Sequence, residues 1–305
     1  MKILIATEKP FAKAAVEGMQ AIIENAGCEC ALFEKYTDKA QLLEAVADAE
    51  GLIVRSDKVT AEVVAHAPKL KIVVRAGAGY DNLDLAACTA QGIVAMNTPG
   101  QNSNAVAELA IGLMVYMARN NFQPGTGSEL KGKTLGIQAY GNVGRLVAKL
   151  AQGFGMRVLA FDPFVPAEKM IADGVTPTTE LAELYTQSDY VSLHIPANDQ
   201  TKKSINYGLM SLLPKGACLV NTARKEIIDE NDLARMLNER TDFKYVADVA
   251  PESYADLHAK FGTRVFATPK KMGAETAEAN INAGLAAAKQ AIGYLKEGND
   301  RFRVN

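Results

Sequence analysis

Residues 134–138 form a short apolar run that leads into Ala139-Tyr140-Gly141-Asn142-Val143-Gly144, and an amphipathic stretch follows. This is the pattern G-x-G-x-x-G with alanine in first place. The glycine at 141 lets backbone approach a pyrophosphate, and the glycine at 144 lets a helix pack closely on the strand before it. Phosphate oxygens would then meet the free N–H groups of the helix's first turn. The first position normally makes the tight turn, so Ala139 is expected to adopt a conformation that its Cβ tolerates. The next apolar run, 158–161, ends at Asp162, eighteen residues after Gly144. A carboxylate at that distance accepts the hydroxyls of an adenosine ribose. Pro163 and Phe164 follow, with no adjacent arginine to hold a 2′-phosphate. The predicted chemistry is binding of NAD, in preference to NADP, through Tyr140, Gly141, Asn142, Val143, Gly144 and Asp162.

Such a turn works only between a strand and a helix, and the rest of the chain supplies both in alternation. Short apolar runs occur at 3–5, 52–54, 72–74 and 93–95, and again at 135–137, 158–161, 190–193, 218–220, 245–247 and 265–267. Apolar runs that do not alternate suit strands buried on both faces, and hence parallel sheets covered by helices. Val143, Leu146, Val147, Leu150, Ala151 and Phe154 make one apolar stripe at helical spacing. Residues 104–118 are apolar nearly all round, with Asn102-Ser103-Asn104 to cap their start. A last Ala-rich helix is predicted from about 276 to 296 and has no strand after it. The class is α/β with two strand groups. The domains expected are 1–97 completed by 282–305, and 98–281 between them.

Composition removes other classes. The 305 residues carry 33 Lys+Arg against 35 Asp+Glu, a net charge of −2, which is not the basic excess of a nucleic-acid binder. No apolar run approaches a membrane span and no targeting segment is visible, so a cytoplasmic protein is expected. Four cysteines, at 28, 30, 88 and 218, are too few for a disulfide scaffold and lack metal-site spacing, so no metal is expected.

Further segments carry a resemblance. They are Gly51-Leu-Ile-Val-Arg55-Ser56, Arg75-Ala-Gly-Ala-Gly-Tyr-Asp81-Asn82-Leu-Asp84, Asn104-Ala-Val-Ala-Glu108 and Gly132-Lys-Thr-Leu-Gly-Ile. Ser188-Asp189-Tyr-Val-Ser-Leu-His194-Ile-Pro196, then Asn221-Thr-Ala-Arg224 with Ile228-Asp229-Glu230, continue the series. In this order they resemble the D-2-hydroxyacid dehydrogenase family, and most nearly its phosphoglycerate-oxidising branch. The resemblance implies two Rossmann-like parallel-sheet domains, one flavodoxin-like and one NAD-binding, with the active site in the cleft. It also implies hydride transfer between substrate C2 and NAD, and a homodimer formed through the NAD-binding domain. His194, Pro196, Thr222, Ala223, Asp248 and Gly273 would lie beside the cofactor.

The same resemblance assigns the catalytic residues. Arg224, just past the run 218–220, would grip the substrate carboxylate, because a guanidinium makes two parallel bonds and stays charged. The family's next residue is usually glycine, whereas here it is Lys225. Glu252 would be the catalytic glutamate, although it follows Asp248 one residue early and Ser253 replaces a proline. The family's catalytic histidine is missing: its motif reads here Pro269-Lys270-Lys271-Met272-Gly273-Ala274. His66, His194 and His258 are the only histidines, and none lies in that motif. Counting back from Gly273 puts Lys271 in the histidine's place, and counting on from Pro269 puts Lys270 there. Either lysine could protonate a developing alkoxide. To accept a proton near neutrality, it would need desolvation or a neighbouring cation, since lysine ordinarily titrates near 10.4.

Arg55, Ser56, Lys58 and Arg75, with Ala76 and Gly77, are expected to bind substrate. So many cations suit a molecule with both carboxylate and phosphate, which favours 3-phosphoglycerate and entry to L-serine biosynthesis, with 4-phosphoerythronate the other phosphorylated hydroxy acid that fits. A glyoxylate/hydroxypyruvate reductase, another D-2-hydroxyacid reductase and a non-enzymatic dinucleotide sensor are the alternatives. The resemblance uses nearly all 305 residues, so no serine-sensing regulatory domain is expected.

Overall fold

The computed structural model describes residues Met1–Asn305 and divides them into two compact units. One is Met1–Asn102 with Glu275–Asn305, the other Ser103–Ala274. The changeovers fall five residues after and seven before the boundaries expected from the sequence. The cause is that helices are not cut. Residue 282 lies inside α12 (Ala277–Glu297), whose Ala279, Ala283, Ala287, Ala288 and Ala291 bury one stripe in the first unit's core.

The first unit holds β1 (Lys2–Thr7), α1 (Lys13–Asn25), β2 (Glu29–Glu34), α2 (Lys39–Val46), β3 (Gly51–Val54), α3 (Ala61–Ala65), β4 (Ile72–Arg75), α4 (Leu85–Ala90) and β5 (Val94–Asn97). Its sheet is parallel in the order β2-β1-β3-β4-β5. Chain direction across this sheet reverses between β1 and β3, where flavodoxin-like sheets open a crevice at the carboxyl ends of the strands. Thr7 and Arg55 mark those two ends. β2 has no counterpart among the apolar runs. It is an edge strand, half-exposed along its length, and its sequence ECALFE carries the polar residues of an edge.

The second unit begins with α5 (Ser103–Ala118) and continues through β6 (Thr134–Gln138), α6 (Asn142–Gly153), β7 (Arg157–Phe161), α7 (Ala167–Ala172), β8 (Thr176–Pro177), α8 (Leu181–Thr186) and β9 (Tyr190–Leu193). It ends with α9 (Tyr207–Met210), β10 (Cys218–Asn221), α10 (Glu230–Glu239), β11 (Lys244–Ala247), α11 (Tyr254–Phe261) and β12 (Val265–Ala267). Seven parallel strands run β12-β11-β10-β9-β6-β7-β8, with the reversal between β6 and β9. This is the doubly wound dinucleotide-binding arrangement. Two buried apolar clusters cover the two faces of the sheet, which is why its strands read as unbroken apolar runs. α5 is less uniformly buried than expected, since Asn104, Glu108 and Gly112 are exposed along one side. No helix is long and apolar enough to cross a membrane.

The turn after β6 departs from expectation at its first residue. Ala139 has φ +77, the left-handed region, where its Cβ is strained. Two constraints hold it there. Its N–H donates to the Phe161 carbonyl at 2.9 Å, and its own carbonyl oxygen packs where a Cβ on Gly144 would come within 2.3 Å. Ala139→Gly is therefore expected to stabilise the fold by about 1 kcal/mol, strain relief outweighing the added freedom of the unfolded chain. A higher urea midpoint at unchanged slope would show it, and a lower midpoint would contradict it.

Candidate functional site

The second unit presents its site residues on loops at the carboxyl ends of four neighbouring strands. At β6, Gly141 begins α6 with no side-chain cap, so the first-turn N–H groups lack side-chain partners. A Cβ at Gly141 would meet nothing within 4 Å, so the backbone is open to a ligand there. Asp162 stands at the end of β7, and its carboxylate accepts the Tyr140 N–H at 2.8 Å and the Phe164 N–H at 2.8 Å. Two N–H bonds fix its orientation and leave lone pairs on both oxygens. The Tyr140 ring is buried, and its hydroxyl donates to Asp173 at 3.1 Å, beside the Arg145–Asp173 ion pair. At β9, burial pushes the His194 imidazole down to about 4, so it is neutral at pH 7, with Ser192 Oγ 3.0 Å from its Nε2. Pro196 lies exposed on the same loop. At β10, the Thr222 hydroxyl is buried without a partner. Uncapped helix start, glycine opening, oriented carboxylate and orphaned hydroxyl together fit a dinucleotide laid across the switch point. No cluster of three or more His, Cys, Asp or Glu is placed to hold a metal ion.

The β10 loop, with two further loops from the adjacent strands β11 and β12, carries the expected catalytic residues. Asn221, the last residue of β10, donates its amide to the Arg224 carbonyl at 2.9 Å and takes the Ala223 N–H at 3.0 Å. That small ring holds Arg224 half-buried and extended, with Nη1 on the Ala223 carbonyl at 2.9 Å. Asp248 follows β11 and is 1% exposed. Its Oδ1 takes the Met272 N–H at 2.7 Å and its Oδ2 the Gly273 N–H at 2.9 Å. Expected beside the cofactor, Asp248 thus has both oxygens committed to the lysine loop. Gly273 has no room for a side chain, since a Cβ would lie 2.8 Å from Asp248 Oδ2. Thr268 Oγ lies 2.8 Å from the Lys270 carbonyl oxygen, a second anchor for that loop. Lys270 and Lys271 themselves are exposed.

Glu252 projects from the β11 loop, and its Oε1 takes the Lys225 ammonium at 3.0 Å. Beneath it, the Glu230 carboxylate at the start of α10 accepts the Glu252 N–H at 2.8 Å, the Ser253 N–H at 2.9 Å and the Ser253 hydroxyl at 2.6 Å. Glu230, and the contact between Lys225 and Glu252, were not legible in the sequence. The only trace was Lys225 standing where the family has glycine.

The first unit gathers its own cations at the β3 and β4 ends. Arg75 Nε donates to the Arg55 carbonyl at 2.9 Å, and the guanidinium lies so close over Gly77 (φ +151) that a Cβ there would fall 1.5 Å from Nη1. Arg55 reaches Glu275 at 3.4 Å, while Ser56 and Lys58 are exposed and Ala76 is buried. The organiser is Asp57, 4% exposed, for which the sequence carries no motif. It accepts the Glu8 N–H at 2.6 Å, the Tyr36 hydroxyl at 2.7 Å and the Arg55 N–H at 3.3 Å, tying together the loops after β1, β2 and β3.

Known proteins are similar to this chain in sequence and fold. The family model for the D-isomer specific 2-hydroxyacid dehydrogenase NAD binding domain matches residues 109–271. A D-3-phosphoglycerate dehydrogenase of Methanocaldococcus jannaschii is 38% identical over 267 residues, which are 83% of this chain and 51% of that one. A hydroxypyruvate reductase of Thermotoga maritima is 35% identical over 276 residues, 84% of this chain and 88% of that one. The chain thus spans about half the length of the phosphoglycerate dehydrogenases among these relatives. A crystal structure of NAD+-bound 3-phosphoglycerate dehydrogenase from Entamoeba histolytica superposes with a TM-score of 0.88 at 48% identity, over 100% of this chain and 98% of that one. With the uncapped glycine turn, the carboxylate at the end of β7 and two parallel sheets, the chain belongs to the D-isomer-specific 2-hydroxyacid dehydrogenase family, and Ser103–Ala274 holds its NAD-binding domain.

Proposed function

We propose that the chain oxidises D-3-phosphoglycerate to 3-phosphohydroxypyruvate with NAD. The observation that carries the oxidation is the row of loops after β10, β11 and β12, in which Asp248 fixes the lysine loop, and Arg224 and Glu252 are each held by their own hydrogen bonds. In this reading Arg224 binds the substrate carboxylate, and Lys271 or Lys270 takes the proton of the C2 hydroxyl. Glu252 supplies the negative charge of the acid/base group. When bound, NAD supplies the hydride acceptor, and Tyr140–Gly144 with Asp162 would hold it.

The phosphate is supported by the first unit. Arg55 and Arg75 stand at the ends of neighbouring strands with Ser56 and Lys58 exposed beside them, more positive charge than an uncharged tail needs. Growth of NADH absorbance with 3-phosphoglycerate tests the reading against D-glycerate. The phosphorylated substrate should be preferred, and Arg55→Ala should raise its KM at least about tenfold while leaving that for D-glycerate within about twofold. Equal use of both substrates would make the chain a hydroxypyruvate-type reductase, in keeping with the similar length of the Thermotoga relative. No NAD reduction with any 2-hydroxy acid would leave a dinucleotide-binding protein.

A further inference from the structure

We propose that Asp173 is a positioning residue for NAD: through the buried ring of Tyr140 it fixes the Asp162 carboxylate that takes the adenosine ribose. The inference rests on the ribose role read for Asp162 from the sequence.

The glycine turn cannot hold its own shape. Ala139 sits at φ +77, a strained conformation that persists only where its surroundings enforce it. Its N–H is held by the Phe161 carbonyl at 2.9 Å. Tyr140, the next residue, supplies two more fixed points, one at each end. Its N–H donates to Asp162 Oδ2 at 2.8 Å, and its hydroxyl donates to Asp173 Oδ2 at 3.1 Å. The other bond to Asp162 comes from the Phe164 N–H, two residues along its own turn, and moves with it. The Tyr140 N–H is therefore the bond that sets Asp162 against the glycine turn. The ring between the two bonds is rigid and 1% exposed, so a displacement at the hydroxyl is passed on to the backbone.

Asp173 is itself moored. It closes α7, and its Oδ2 also takes Arg145 Nε at 3.1 Å from the start of α6. Two turns further along α6, the Gln152 amide donates to the Asp173 and Gly174 carbonyls at 2.9 and 3.1 Å. Stability does not account for the ion pair. The Arg145 and Asp173 side chains are 52% and 36% exposed, and such solvated pairs contribute little to folding. The bond that counts is the one to the buried ring. Burial, then the hydrogen bond to Asp173 and its charge, pushes the Tyr140 hydroxyl up to about 12, so it keeps the proton it donates. Without Asp173 that hydroxyl is orphaned, and the ring must shift to find another acceptor.

The test is calorimetric binding of NAD and of its analogue lacking the 2′-hydroxyl of the adenosine ribose, with no turnover required. The wild-type protein should prefer NAD, because Asp162 accepts that hydroxyl. Asp173→Ala should weaken NAD binding about tenfold and shrink the preference at least about threefold. A general loss of stability would weaken both ligands alike and leave the preference unchanged. Asp173→Asn keeps an acceptor oxygen for the Tyr140 hydroxyl and should retain most of the preference. Tyr140→Phe removes the hydroxyl and keeps the ring, so it carries the same test if Asp173→Ala does not fold. Asp173→Ala added to Tyr140→Phe should cost nothing more, since both act through one bond. A preference unchanged in Tyr140→Phe overturns the proposal, and so do additive losses in the double variant. An equal loss in Arg145→Met also overturns it, by placing the effect in the ion pair. Failure of the underlying reading looks different: the preference would be absent from the wild-type protein or would survive in Asp162→Ala.

Discussion

Arg224→Gln is expected to lower kcat/KM for a 2-hydroxy acid by about a thousandfold while leaving NAD affinity within about threefold. The guanidinium carries five N–H donors, and its Nη1 goes to the Ala223 carbonyl at 2.9 Å. Two others can meet a carboxylate in parallel, each charge-assisted bond contributing roughly 1.5–3 kcal/mol. A loss of about 4 kcal/mol corresponds to three factors of ten in rate. Glutamine keeps much of the volume and one amide donor pair but no charge. Arg224→Lys should recover only part, because an ammonium cannot reproduce the planar fork. NAD affinity is expected to be spared because the glycine turn follows β6, with β9 between it and β10, and the Ala223 N–H beside Arg224 stays held by Asn221. Steady-state kinetics with cofactor titration separates the two effects. A drop of less than tenfold would remove Arg224 from the substrate's carboxylate.

Arg224 was legible because its neighbourhood is local: a buried apolar strand, then a short motif at the strand's carboxyl end. The same holds for the whole pattern of doubly buried strands and for the glycine turn. What stayed hidden was either too exposed, too short or too distant in sequence. β2 escaped because an edge strand need not be apolar, and β8 because two residues carry no periodicity. Ala139 was expected to keep a comfortable conformation, but packing against Gly144 overrides the preference of a single residue. For Asp248 the sequence predicts a cofactor contact but carries no sign that its oxygens accept N–H groups 24 and 25 residues away. Lys225 and Glu252 are 27 residues apart, and only the neighbouring positions of β10 and β11 bring them together.

Asp248 also bears on which lysine does the chemistry. Lys271→Ala should reduce kcat for oxidation about a thousandfold, within the range for loss of a general acid/base, whereas Lys270→Ala should cost less than tenfold. Against the family pattern the motif has one residue more between Pro269 and Gly273, so the count depends on which end is fixed. Gly273 is the fixed end. Its N–H sits on Asp248 Oδ2 at 2.9 Å, no side chain fits there, and the adjacent Met272 N–H is held at 2.7 Å by the other oxygen. The extra residue is therefore taken up toward Pro269, which lies exposed at the surface, and the position two before Gly273 belongs to Lys271. In the proposed reading, truncating Lys271 would remove the proton acceptor and its stabilising charge on the alkoxide together, while carboxylate and dinucleotide contacts would remain. The expected signature is thus a fall in kcat with little change in either KM, and loss of the rising limb of the pH profile. A fall confined to Lys270→Ala would transfer the role to that residue and mean that the Thr268 anchor sets the register. Full turnover in both variants would leave the proton to some other group.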